Sequence, residues 1–132
     1  MKITADTNVL VRAVTEDHEH QSKIAQATLK KAELVAIPIP ALCELVWVLS
    51  QGYKAPPRDI AEAIRRLMNG ANVAVNRLAA EAGLAMLDAG GDFADGVIAY
   101  DGNWLGADMF VSFDRKAVKL VEAKGASAHL LS

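Results

Sequence analysis

Four acids in this 132-residue chain stand where chemistry could be done: Asp6, Glu44, Asp95 and Asp114. Asp6 ends the run Ile3-Thr4-Ala5 and opens Thr7-Asn8-Val9-Leu10, while Asp114 follows Met109 to Phe113 and precedes Arg115-Lys116. Asp92 and Asp95 lie three apart, ahead of Val97-Ile98-Ala99. Each of these acids also reads as a helix cap or a first-turn acid that complements the helix dipole, with Asp92 and Asp95 close to a capping box. Glu44 has no such ordinary explanation. With Pro40 in the first turn of a helix, Glu44 is the only charge in Ala41 to Leu49 and stands about a turn in, beyond capping. An unpaired carboxylate buried among Leu42, Leu45, Val46 and Trp47 costs several kcal/mol, so the position demands a partner, a cation or water. No lysine or arginine is near it in sequence. Acids gathered without basic partners repel one another unless a divalent cation joins them, and hard oxygen ligands suit Mg²⁺ or Mn²⁺ better than zinc. Phosphoryl chemistry follows, since such ions activate water and offset charge on a phosphate.

The elements that must position these acids are legible in outline. Short apolar runs near residues 3–5, 34–37, 72–75, 109–113 and 128–131 read as strands. Helical patterns separate them: Val9 to Val14, a stretch after Asp17, Ala41 to Leu49, a strongly amphipathic segment opened by Arg58 or Asp59, Arg77 to about Ala89, a short helix from Asp92 closing near Gly102, and Arg115 to about Lys124. Asp17 is the expected N-cap of the second of these. The helix around Glu44 is apolar on almost every side and reads as buried. Alternating strands and helices imply an α/β fold, a three-layer α/β/α sandwich with a central, mostly parallel sheet of about five strands. Functional groups collect where such strands end and helices begin.

Composition narrows the function classes. The length suits one domain over residues 1–132, and 52% hydrophobic with 23% charged residues fits a globular protein. The net charge of −2 carries no global basic field, so nucleic-acid binding would need a local patch. Cys43 is the only cysteine, which excludes an internal disulfide and fits a reducing cytoplasm. No apolar stretch is long enough to span a membrane and the N-terminus has no signal-peptide layout. His18 and His20, two apart on a helix, do not face each other and read as a solvated first turn rather than a metal site.

Four motifs together resemble those of the PIN-domain family: Asp6-Thr7-Asn8, Glu44-Leu45 within an apolar helix, Asp92-Phe93-Ala94-Asp95 followed by Val97-Ile98-Ala99, and Ser112-Phe113-Asp114-Arg115. Their order, spacing and the chain length are similar in particular to VapC toxins of type II toxin–antitoxin modules. The resemblance covers essentially the whole chain and implies a Mg²⁺- or Mn²⁺-dependent endoribonuclease. It implies that Asp6 and Asp95 are the main metal ligands, with Glu44 and Asp114 completing the site directly or through water. Asn8 and Ser112 match polar positions that orient the acids, and Asp92 an outer member. An RNA substrate, a VapB-like antitoxin, a homodimer and a cytoplasmic location are implied too.

Other residues are open to two readings. Arg115 and Lys116 could meet RNA phosphates or form the solvated face of the last helix. Gly96 sits just inside a helix, where it costs roughly 1 kcal/mol against alanine. Trp104 could stack on a base, although packing against its own domain is the expectation. Competing functions are a non-catalytic binding module of the same fold and an aspartyl-phosphate phosphatase or receiver. Against the phosphatase, position 8 is Asn rather than a second acid; against the receiver, no paired acid precedes a central Asp.

Overall fold

Two periodicities alternate along the chain, and the computed structural model, which describes residues 1–132, resolves them into five strands and seven α-helices. The strands are Lys2–Thr4 (β1), Leu34–Ala36 (β2), Val73–Ala74 (β3), Phe110–Ser112 (β4) and Ala128–Leu130 (β5). The helices are Thr7–Val14 (α1), Glu19–Lys31 (α2), Ile39–Trp47 (α3), Pro57–Met68 (α4), Arg77–Asp88 (α5), Phe93–Trp104 (α6) and Arg115–Ala123 (α7); a π-helical turn, Val48–Gly52, extends α3.

Two compact units divide these elements, Met1–Arg77 and Leu78–Ser132. In the first, β1, β2 and β3 pair in that order, all parallel, with Ile3, Val35 and Val73 in one row across the sheet. Parallel neighbours require helical crossovers, and α2 and α4 are those crossovers. Their apolar faces, with those of α1 and α3, bury Leu10, Val35, Leu42, Leu45, Ile60 and Ile64. In the second unit β4 pairs parallel with β5, with Val111 opposite His129, and α7 packs on both strands. Phe93, Leu84, Val97, Val118 and Val121 are buried there. The α/β class and the parallel strands agree with the sequence; the five strands are seen as a three-stranded and a two-stranded sheet. Strands of two or three residues carry few ladder bonds, so each pairing is short. No helix is long and apolar enough to cross a membrane.

Two local expectations are corrected. His18, not Asp17, caps α2, its Nδ1 accepting from the Gln21 N–H at 3.3 Å. Asp17 is drawn away: it accepts from the Tyr53 hydroxyl at 2.9 Å and lies 3.6 Å from the Arg12 guanidinium. The Tyr53 hydrogen bond first, with Thr15 and Arg12 adding to it, holds its carboxyl below the usual range against the opposing effect of desolvation. The helix α6 closes near Gly102 as expected, its last residue being Trp104. The stop is Gly106, whose φ of 109° is left-handed and lets the Gly106 and Ala107 N–H groups reach back to the Asn103 and Gly102 carbonyls. The second correction is that α3 is not buried all round. Ala41, Leu42, Leu45 and Val46 form its inner face, whereas Glu44 and Trp47 are exposed.

Candidate active site

Asp6 is delivered by β1 and caps α1, accepting from the Thr7 N–H at 2.8 Å. Such a cap satisfies one of the helix's orphan N–H groups and leaves the second carboxylate oxygen open. Glu44 projects from the outer face of α3, the helix against which α1 packs. The Thr7 hydroxyl donates to Glu44 Oε1 at 3.1 Å. One residue therefore holds two acids, through its backbone N–H on Asp6 and its side chain on Glu44. The argument from burial that singled out Glu44 is overturned, since the carboxylate is exposed. What fixes it is Thr7, whose role the sequence reading missed; the only available signal was a hydroxyl next to the first acid.

The second unit presents its acids at two helix starts. Asp92 caps α6, accepting from the Ala94 N–H at 3.1 Å. Asp95, in the first turn of the same helix, does not reach back to the Asp92 N–H, so the capping box is not closed and this half-buried carboxylate carries no hydrogen bond. Burial pushes its pKa up, and the negative charges of Asp92 and Asp114 add to the effect. Asp114 caps α7 with one oxygen, which accepts from the Lys116 and Ala117 N–H groups at 3.0 and 3.1 Å. Ser112 Oγ accepts from the Asp114 N–H at 2.9 Å and so fixes the backbone that carries the acid.

Gly96 explains how α6 is seated. A Cβ at this position would stand 2.3 Å from the Ala82 carbonyl oxygen and 2.7 Å from Met86 Cγ. No side chain fits, so α5 and α6 meet backbone to backbone one residue after Asp95. Gly83 makes room for the buried Phe93 ring, which a Cβ there would approach to 2.7 Å.

The remaining candidates are less engaged. Asn8 is exposed in the first turn of α1, and its side chain bonds to none of the acids. Arg115 and Lys116 are exposed at the start of α7. Trp104, expected to pack, is 80% exposed.

The donor chemistry fits a hard divalent cation. Asp6, Glu44, Asp95 and Asp114 offer only carboxylate oxygens, and none is neutralised by an ion pair with lysine or arginine. Asp95 is held by burial and two negative neighbours in the state that a cation would relieve. Neither unit by itself gathers three or more acidic, histidine or cysteine side chains closely enough to hold a metal ion.

Comparison with known proteins bears on the assignment. The chain is 29% identical over 120 residues, 87% of its own length and 89% of the other's, to a VapC ribonuclease of Aquifex aeolicus (strain VF5). The PIN-domain family model matches residues 3–122, a span that contains Asp6, Glu44, Asp95 and Asp114. With its parallel α/β architecture and a family match over almost its whole length, this chain belongs to the PIN-domain family.

Proposed function

We propose that this chain is a metal-dependent endoribonuclease, the toxin of a type II toxin–antitoxin pair, folded as one nuclease domain over residues 1–132. The observation that carries the reading is Thr7, which orients Asp6 and Glu44 together with one open carboxylate oxygen on Asp6. The family and the VapC ribonuclease relative support it.

Asp6 and Asp95 would hold Mg²⁺ or Mn²⁺, with Glu44 and Asp114 acting directly or through water. Once bound, the ion supplies an activated water and offsets charge on the scissile phosphate. The protein's own part is positional. Thr7 fixes the Glu44 carboxylate as an acceptor for a proton from an attacking water, and the cap hydrogen bonds orient Asp6 and Asp114. Asp92 keeps negative charge beside Asp95, which favours occupancy by a cation. Arg115 and Lys116, exposed at a helix start, would take up RNA phosphates. A VapB-like antitoxin, a homodimer and a cytoplasmic site of action complete the proposal.

Cleavage of a panel of structured RNAs with Mg²⁺ or Mn²⁺ tests it. Asp6→Asn keeps a capping side chain and Glu44→Gln keeps an acceptor for Thr7, so both preserve the fold while removing charge. The expected result is metal-dependent cutting by the wild type and none by either variant. A folded wild type that binds Mn²⁺ yet cuts neither the panel nor total cellular RNA would replace this reading with a non-catalytic binding module.

A further inference from the structure

The outer face of α3 carries more than Glu44. Trp47 follows it by three residues, one helical turn, and therefore shares its face. The ring is 67% exposed, although Leu42, Leu45 and Val46 on the inner face of the helix are buried. Phe113, directly before Asp114, is 76% exposed, so one candidate acid in each unit has an open aromatic ring beside it.

We infer that Trp47 is a base-stacking platform for single-stranded RNA, holding the nucleobase next to the phosphodiester presented to Glu44. The inference rests on the ribonuclease reading above and adds to it a contact with the base. Large aromatic rings left in water next to a carboxylate suit a flat ligand that covers the ring face alone. A protein partner seated on Trp47 would also cover Glu44 one turn away and desolvate its charge, which is costly without a matching cation. A stacked base leaves the carboxylate edge open. Stacking of this kind is tolerant of sequence, because every base has a π-face. Trp47 thus contributes grip on the substrate rather than choice among targets.

The test uses the full chain. In a Trp104→Phe background Trp47 is the only tryptophan, and its emission is titrated with octa-adenylate RNA in the presence of chelator. Saturable quenching is expected with this RNA and none with an octamer of abasic sites. In cleavage of whichever panel RNA the wild type cuts, Trp47→Ala raises KM between about 5- and 150-fold, the span of one stacked base, with kcat within about threefold. Trp47→Phe, which keeps a ring and the packing of the helix, retains most of the affinity. The molecular mass in solution stays that of the wild type. An unchanged KM, equal quenching by abasic RNA, or a change in oligomeric mass in Trp47→Ala would overturn the inference and, in the last case, assign the ring to a second copy of this chain. A wild type that cuts no RNA would instead take down the ribonuclease reading itself, and this inference with it.

Discussion

The two compact units hold their acids by different means. In Met1–Arg77 the carboxylates are tied: Thr7 binds both Asp6 and Glu44. In Leu78–Ser132 they are crowded: Asp95 is half-buried without a hydrogen bond, and Asp92 and Asp114 push its pKa further up. Hydrogen bonds orient Asp6 and Glu44 in one unit and Asp92 and Asp114 in the other, whereas Asp95 is placed by backbone packing, with Gly96 setting α6 against the Ala82 carbonyl. Under the proposed reading, the difference separates two requirements of a cation site. Ligands must point, and their charge must remain uncompensated until the ion arrives.

Substitutions can break each half of this contrast. The largest effect is expected at Asp95, where Asn removes the charge that the second unit holds in tension; cleavage should fall about 10³-fold in a single-turnover assay. Gly96→Ala comes next. Forcing a methyl group to within 2.3 Å of a carbonyl oxygen has to separate α5 from α6, and overpacking of this type costs about 1–3 kcal/mol or more. Thermal denaturation should show a clear loss, whereas Gly102→Ala, in the same helix with nothing within 4 Å, should hold or slightly raise the midpoint.

In the first unit, Thr7→Ala leaves the backbone bond to Asp6 and deletes the one to Glu44. Loss of such an outer partner lowers metal affinity or activity by roughly 10- to 100-fold, and Thr7→Ser, which keeps the hydroxyl, should restore most of it. The smallest effect sharpens the electrostatic half. Because the folded-state pKa of Asp95 is raised, the folded protein binds more protons than the unfolded chain between the two pKa values, and stability falls as pH rises through that window. Asp95→Asn should therefore raise the melting midpoint at pH 7 by about 1–2 °C after allowance for solvent screening, and leave it unchanged below the unfolded pKa. Equal shifts at both pH values would point to packing rather than charge.

Much of this was readable in the residues. Strand, acid and helix at Asp6, and again at Asp114, are local signatures, and both acids are indeed the caps of α1 and α7. Asp92 is likewise a cap. The errors arose where tertiary partners decide. Asp17 had the right chemistry for a cap, but Tyr53, distant in sequence, claimed it. Glu44 drew notice for a burial that is not there, because an apolar composition cannot say which side of α3 faces the core. Thr7 went unnoticed since its value depends on the approach of α3 to α1, and Gly96 looked like a weak helix residue until the Ala82 carbonyl was placed beside it.

The most direct measurement is Mn²⁺ binding, followed by electron paramagnetic resonance, in the wild type and in Asp6→Asn and Asp95→Asn, one acid from each unit. The account predicts that the wild type binds the ion and that each substitution alone weakens binding at least about tenfold with the fold intact. Binding that is unchanged by either substitution would contradict it.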